Sequence, residues 1–98
     1  MLGIDKTTIS RFKNMSDSFI KRVLHEEEII EYNASENKEL FLAARWAIKE
    51  ALYKADNTNV EFSKMKITKE NRQYKFPGYI ISTTNEGDDY IAIVMKVK

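Results

Sequence analysis

Glu50 lies in a segment whose residue types could do chemistry. It is the one acid on a mostly apolar line, Ala43, Trp46 and Tyr53, within a helix-like stretch from Phe41 to Ala55. A carboxylate between two aromatic rings is poorly placed as a solvated charge, and burying it without a partner is costly. Lys49 and Lys54 flank it, and Arg45 sits one turn before Lys49. One acid with three bases on a small-residue helix is what a site for a metal and phosphates needs. The spacing equally fits an ordinary helix pair, Glu50 with Lys54 at i, i+4, worth only about 0.2–0.5 kcal/mol. Periodicity alone leaves both readings open.

The elements that must position these residues follow from pattern. Leu40, Phe41, Ala44, Ala47, Ile48, Ala51, Leu52 and Ala55 recur at the spacing of a core-facing helical stripe. The helix is predicted over 36–55, with Ser35 as its N-cap. Upstream, Leu2-Gly3-Ile4-Asp5 reads as a short strand, and Thr7 or Thr8 as the cap of a helix starting near Ile9. Ser16-Asp17-Ser18 is a break, with Asp17 or Ser18 capping a further turn that packs Phe19, Ile20, Val23 and Leu24 inward. A short helix is expected over 26–32, its leading acids favourable to the dipole.

From Val60 the period changes to two. Val60 and Phe62 have one parity and Met65 and Ile67 the other, so two strand pieces joined by a bulge at Ser63-Lys64 are expected. Glu70-Asn71-Arg72 is a turn, Pro77-Gly78 breaks the ladder, and Tyr79 to Thr83 is a strand. A hairpin turn is expected over Asn85-Glu86-Gly87-Asp88. The last strand, 90–97, is apolar on both sides: Tyr90, Ala92 and Val94 on one, Ile91, Ile93, Met95 and Val97 on the other. In so small a protein that predicts a central strand or a face lent to another subunit. The fold class is α+β, an antiparallel sheet packed on one long helix and short N-terminal helices, in a single domain over 1–98.

Composition bounds the function. With 98 residues, 43% hydrophobic and 32% charged, the chain is globular with one modest core. It has no cysteine, so disulfides and thiolate metal sites are excluded. No apolar run reaches the roughly 18 residues of a membrane span, and Lys6 and Arg11 interrupt any signal-peptide core. A cytoplasmic protein without membrane contact is expected. Charge is uneven: Lys6, Arg11, Lys13, Lys21 and Arg22 outnumber two acids in residues 1–24, whereas six glutamates face one lysine in residues 25–40. The basic third either meets an acidic partner or is simply solvated. No basic run is interleaved with aromatics, so nucleic acid is not expected as the partner.

Arg45-Trp46-Ala47-Ile48-Lys49-Glu50-Ala51, followed by Lys54-Ala55, resembles the signature helix of the 4'-phosphopantetheinyl transferases. Gly3-Ile4-Asp5 resembles their first strand, which ends on a metal-binding Asp. The segment Phe19 to Glu28 resembles the Phe-x-x-Arg-hydrophobic-Leu-Thr-x-x-Glu stretch of the short bacterial holo-acyl-carrier-protein synthase branch, and Tyr90 to Val94 its last strand. The resemblance is colinear over most of the chain. It implies transfer of 4'-phosphopantetheine from coenzyme A to a serine of apo-acyl carrier protein, releasing 3',5'-ADP.

The same resemblance implies roles for single residues. Asp5 and Glu50 fall on the two carboxylates that hold Mg2+, and Lys54 on the lysine that lies on the phosphates and assists the leaving group. Arg45 and Lys49 fall on basic positions that contact coenzyme A phosphates. Arg11, Phe19 and Arg22 fall on the surface that meets the carrier protein's acidic helix. Asp5 also fits a plain strand-end role, and Phe19 a plain core role. The branch further implies a homotrimer with shared sites, with one face of the last strand near the axis and with Asp5 and Glu50 facing the Arg45 and Asn85 region.

The sequence departs from the pattern in three places. Asp56-Asn57-Thr58-Asn59 replaces a glycine-rich loop, the segment between Pro77 and Ser82 is shortened, and Asn85 stands where the family has a phosphate-facing histidine. Asn85 could donate a hydrogen bond there but carries no charge. His25, the only histidine, replaces a threonine and reads as a surface or cap residue. These departures keep a second function in view, a degenerate homologue that binds carrier protein or nucleotide without turnover. A third is an interaction module whose helix only mimics the motif.

Overall fold

The apolar stripe of the sequence builds α3, Lys38–Ala55, and everything else packs around it. The computed structural model describes residues 1–97. Ahead of α3 come β1 (Leu2–Thr8), a 3-10 turn (Ile9–Phe12), α1 (Asp17–Val23) and α2 (Glu26–Ala34). After it come a second 3-10 turn (Phe62–Lys64), β2 (Thr68–Glu70), β3 (Gln73–Lys75), β4 (Tyr79–Glu86) and β5 (Asp89–Lys96). The α+β expectation stands. The main sheet is antiparallel in the order β1-β5-β4, with Asp5 opposite Ala92 and Ala92 opposite Thr83. β2 and β3 form a separate hairpin whose turn residues, Asn71 and Arg72, both have positive φ.

Helix starts follow local polar chemistry, displaced from several expected positions. Ser16, rather than Asp17 or Ser18, caps α1 by accepting from the Phe19 N–H. His25 caps α2 as a capping box, accepting from the Glu27 N–H while its own N–H donates to Glu28 Oε1 at 2.9 Å. α2 runs on through Asn33 and Ala34, so Ser35 is spent in the connection and Asn37 caps α3 two residues later than expected. Gly87, at φ +59°, begins a two-residue turn, which leaves Asn85 inside β4 opposite Tyr90.

The last strand is central and its two faces have different fates. Tyr90, Ala92 and Val94 are buried against α3 with Ile48, Leu52 and Ile67. The other face stays open. Leu2, Met95 and Ile80 share one row across the three strands, and Ile4 and Ile93 the next. Leu2 is 61% exposed, Ile4 57% and Ile80 56%.

A buried charge cluster locks the helices together. Glu28 is fully buried, and its carboxylate accepts four hydrogen bonds, from His25 N, Lys49 Nζ, Arg45 Nε (3.2 Å) and Ile67 N (3.0 Å). Lys49 donates onward to Val23 O at 2.8 Å and Phe62 O at 2.9 Å, using all three of its donors. This cluster explains why Val60–Ile67 is not the bulged strand pair its alternation predicts. The backbone groups of Phe62 and Ile67 bond to Lys49 and Glu28, so they are not free for a strand neighbour. Glu28→Gln keeps the shape but strands two buried cations. It should cost about 3–5 kcal/mol, measured by urea unfolding.

Candidate active site

Neighbouring i, i+4 rows of α3 carry separate duties, because adjacent residues on a helix point about 100° apart. Arg45 and Lys49 form one row and turn toward α2. Trp46, Glu50 and Lys54 form the next and turn toward β1 and the first 3-10 turn.

The second row meets Asp5. Gly3, Asp5 and Thr7 share the α3-facing side of β1, and Gly3 lets the strand lie against α3 at Ala51 and Ala55. Lys54 Nζ reaches Asp5 Oδ1 at 3.0 Å and Ile4 O at 3.1 Å. The Asp5 side chain is 12% exposed and its Oδ2 is buried with no hydrogen-bond partner among the described residues. Burial first, and then the Asp5 charge, hold the Glu50 carboxyl above the usual range, opposed by Lys54 and Arg11. Asp5 therefore holds a half-exposed lysine with one oxygen and keeps the other orphaned, within the electrostatic reach of Glu50.

That arrangement fits a hard divalent cation. Its donors are all oxygen, which suits magnesium rather than a metal preferring nitrogen or sulfur. Among the described residues no group of three or more His, Cys, Asp or Glu converges. The protein would thus supply two carboxylates and leave the remaining positions to water and substrate oxygens, as magnesium sites commonly do.

Beside the acids lies an aromatic platform. The Trp46 ring packs on Phe12 at 6.0 Å, Phe19 at 5.7 Å and Phe62 at 6.0 Å between centroids. Arg11 lies 5.0 Å over Trp46 and 5.1 Å over Phe12, and donates to Thr7 Oγ1. Arg22 lies 5.8 Å over Phe19. Arg11, Phe19 and Arg22 thus gather on one half-buried patch around Trp46, one helical turn from Glu50. Phe19 is neither a plain core residue nor free; its ring is a wall of this patch.

Three expected site residues are elsewhere. Arg45 is 2% exposed and Lys49 is fully buried, with both turned onto Glu28. Arg45 is also held between the rings of Phe41 and Tyr74, at 4.3 and 5.0 Å. Both cations are thus engaged on the α2 side of α3, not on Asp5 or Glu50. Burial pulls the Lys49 ammonium below its usual range, while Glu28 opposes that shift. Asn85 is exposed on β4 and separated from β1 by β5, about 10 Å across two strand spacings. No hydrogen bond joins it to Asp5, Glu50 or Lys54 among the described residues.

Three residues that the sequence did not single out for function take part in this arrangement. Trp46 is the platform, and its i, i+4 spacing to Glu50 was the signal. Gly3 permits the strand–helix approach. Glu28 anchors the other side of α3; it lies on the buried face between Leu24 and Tyr32, which marks it as an acid in a core position.

The 4'-phosphopantetheinyl transferase superfamily profile matches residues 1–90. This chain belongs to that superfamily. It is 51% identical over 96 residues to a holo-[acyl-carrier-protein] synthase of Mycoplasma mobile, covering 98% of this chain and 88% of that protein. It is 45% identical over 97 residues to another of that name from Mycoplasmopsis pulmonis, covering 99% and 90%. Among solved structures, the Neisseria meningitidis holo-[acyl-carrier-protein] synthase has the same fold, with a TM-score of 0.84 at 24% identity over 99% of this chain and 97% of that one. The Bacillus anthracis synthase, solved in complex with CoA (3',5'-ADP), superposes with a TM-score of 0.79 at 24% identity, covering 99% and 96%. Within this superfamily fold, the acids stand at the junction of first strand and long helix.

The raised Glu50 carboxyl makes this transferase-fold site a cost to stability. A carboxyl raised in the folded state takes up its proton at a pH where the unfolded chain does not, so its ionised form destabilises the fold above that value. Glu50→Gln should therefore raise resistance to urea at pH 7. The gain should vanish as pH falls below the ordinary glutamate range, where Glu50 is protonated in the folded and the unfolded chain alike. An equal or larger gain at pH 3.5 would remove the electrostatic explanation.

Proposed function

We propose that this chain is a holo-[acyl-carrier-protein] synthase, moving 4'-phosphopantetheine from coenzyme A to a serine of an apo-acyl carrier protein. The observation that carries this is the convergence of Asp5, Glu50 and Lys54 beside the Arg11–Trp46–Phe19 patch. The curated names of its relatives support it.

In this reading Asp5 and Glu50 hold Mg2+, which when bound would supply neutralising charge to the pyrophosphate. Lys54, half-exposed and tethered to Asp5, offers its remaining donor to a phosphate oxygen and stabilises charge on the departing 3',5'-ADP. The serine oxygen loses its proton and forms its bond to the phosphorus nearer the pantetheine as the bond from that phosphorus to the bridging oxygen breaks, the bridging oxygen leaving with 3',5'-ADP. Arg11 is preorganised by two rings and Thr7, so it presents a fixed guanidinium to a carboxylate of the carrier's helix. Arg22 stands one aromatic ring further along the same patch. Asn85, at the outer strand, serves the nucleotide as a neutral donor away from the acids. The protein acts in the cytoplasm; no helix among the described residues is long and apolar enough to cross a membrane.

The assembly in this reading is a closed three-fold ring. The open sheet face carrying Leu2, Ile4, Ile80, Ile93 and Met95 is apolar over two adjacent rows except at Ser82, more than a single copy of so small a chain can cover. Tyr90, Ala92 and Val94 are spent on α3, so Ile91, Ile93 and Met95 belong at the axis. Size exclusion with light scattering should give three copies. Ile93→Asp should give one copy that retains helical circular dichroism and has lost turnover. A fully active wild-type monomer at micromolar concentration would rule the ring out.

Activity is tested by mass spectrometry. With coenzyme A, magnesium and apo-carrier protein, the carrier should gain one phosphopantetheine. Asp5→Asn and Glu50→Gln should each slow turnover by about 10²–10³ while the protein stays folded. Arg11→Glu should raise KM for the carrier about tenfold or more and leave KM for coenzyme A unchanged. A folded protein that modifies none of several carriers would instead be a binding homologue.

A further inference from the structure

β1 lies closer to α3 than any side chain at Gly3 allows. Gly3 is buried, and a methyl group in place of its hydrogen would overlap the carbonyl oxygen of Ala51. It would also stand 2.8 Å from the Ala51 carbonyl carbon and 2.9 Å from the Ala55 nitrogen. These are all backbone atoms of a helix, so no rotamer change relieves the overlap. Strand and helix would have to part, by roughly an ångström or more on ordinary van der Waals separations.

The position of this contact matters more than its tightness. Gly3 and Asp5 are two residues apart on one strand, so they face α3 together, one side-chain repeat apart. Ala51 and Ala55 each follow a site residue, Glu50 and Lys54. This tight strand–helix approach is therefore next to the acids. Asp5 has a single methylene with which to span the gap, and Lys54 bonds both its carboxylate and the carbonyl of Ile4, between Gly3 and Asp5.

We infer that Gly3 is a positioning residue for the carboxylate pair. By having no side chain, it holds β1 at the one separation from α3 at which Asp5 and Glu50 act on the same divalent cation. This rests on the metal reading given above, and the test separates the two.

The probe is Mn2+ alone, titrated into the purified protein and followed by the electron paramagnetic resonance of the free ion. Gly3→Ala should weaken Mn2+ binding at least about tenfold while circular dichroism shows a folded chain. Adding Asp5→Glu to it, one methylene longer, should recover most of the lost affinity, because the longer acid spans the widened gap. Asp5→Glu alone, at native spacing, should weaken binding. That reciprocal pattern is not produced by a general loss of stability. Wild-type affinity in folded Gly3→Ala, or a double variant no better than Gly3→Ala, overturns the inference. If Gly3→Ala does not fold, the single Asp5→Glu variant decides: a loss supports a set spacing, and unchanged affinity overturns it. Absence of Mn2+ binding by the wild type removes the metal reading itself, and the inference with it.

Discussion

The buried carboxylate of Glu28 is the constraint on which the arrangement depends. Removing a carboxylate, a guanidinium and an ammonium from water costs several kcal/mol per ion, and only complete hydrogen bonding offsets that. Glu28 has four donors and Lys49 has three acceptors, so the cluster is filled. Its partners come from α2, α3, the end of α1 and the segment that follows α3. Together they fix the rotation of α3 about its own axis. With Arg45 and Lys49 turned inward, the neighbouring row of Trp46, Glu50 and Lys54 has no choice but to face β1 and the Arg11 turn.

α3 thus joins two opposite electrostatic designs. On one side charges are buried and mutually satisfied, a structural solution. On the other, two nearby acids have one half-exposed lysine, paired with Asp5, and one oxygen of Asp5 is left without a partner among the described residues. The second side is held under tension by the first. Such incomplete satisfaction persists in a folded protein when the surrounding structure over-determines it, and it leaves coordination open for something from outside.

Much of this was legible in the sequence, for reasons that vary by residue. The long helix was readable because eight apolar residues keep helical spacing, although its start moved from Ser35 to Asn37 when α2 ran on through Ala34. The convergence of Asp5, Glu50 and Lys54 was readable through resemblance; Lys54 and Asp5 are in direct contact, and both charges act on the Glu50 carboxyl. Arg45 and Lys49 turn onto Glu28 in this chain, which residue type alone could not show, because the buried acid lies 17 and 21 positions upstream of them. The strand expected at Val60–Ile67 did not form for a similar reason: its alternation was genuine, but the Phe62 carbonyl and the Ile67 N–H are taken by Lys49 and Glu28, and other groups close turns. Asn85 entered β4 because the turn closed on Gly87 and Asp88 alone. Local periodicity is thus reliable until a long-range polar group competes for the backbone.

The pairing of β1 with β5 has a consequence for how the molecule comes into being. Leu2 lies opposite Met95 and Thr8 opposite Asp89, so the first strand waits for the last. α1, α2 and α3 can assemble early around Glu28, since their contacts close shorter loops. Asp5 has no strand partner until β5 has left the ribosome, and until then the alanine-lined side of α3 lacks its cover. Sheets closed over such long sequence separations form late and slowly. The β1 side of α3 is accordingly completed later than its helical side, because the cover of one is a pairing across most of the chain and the contacts of the other are local.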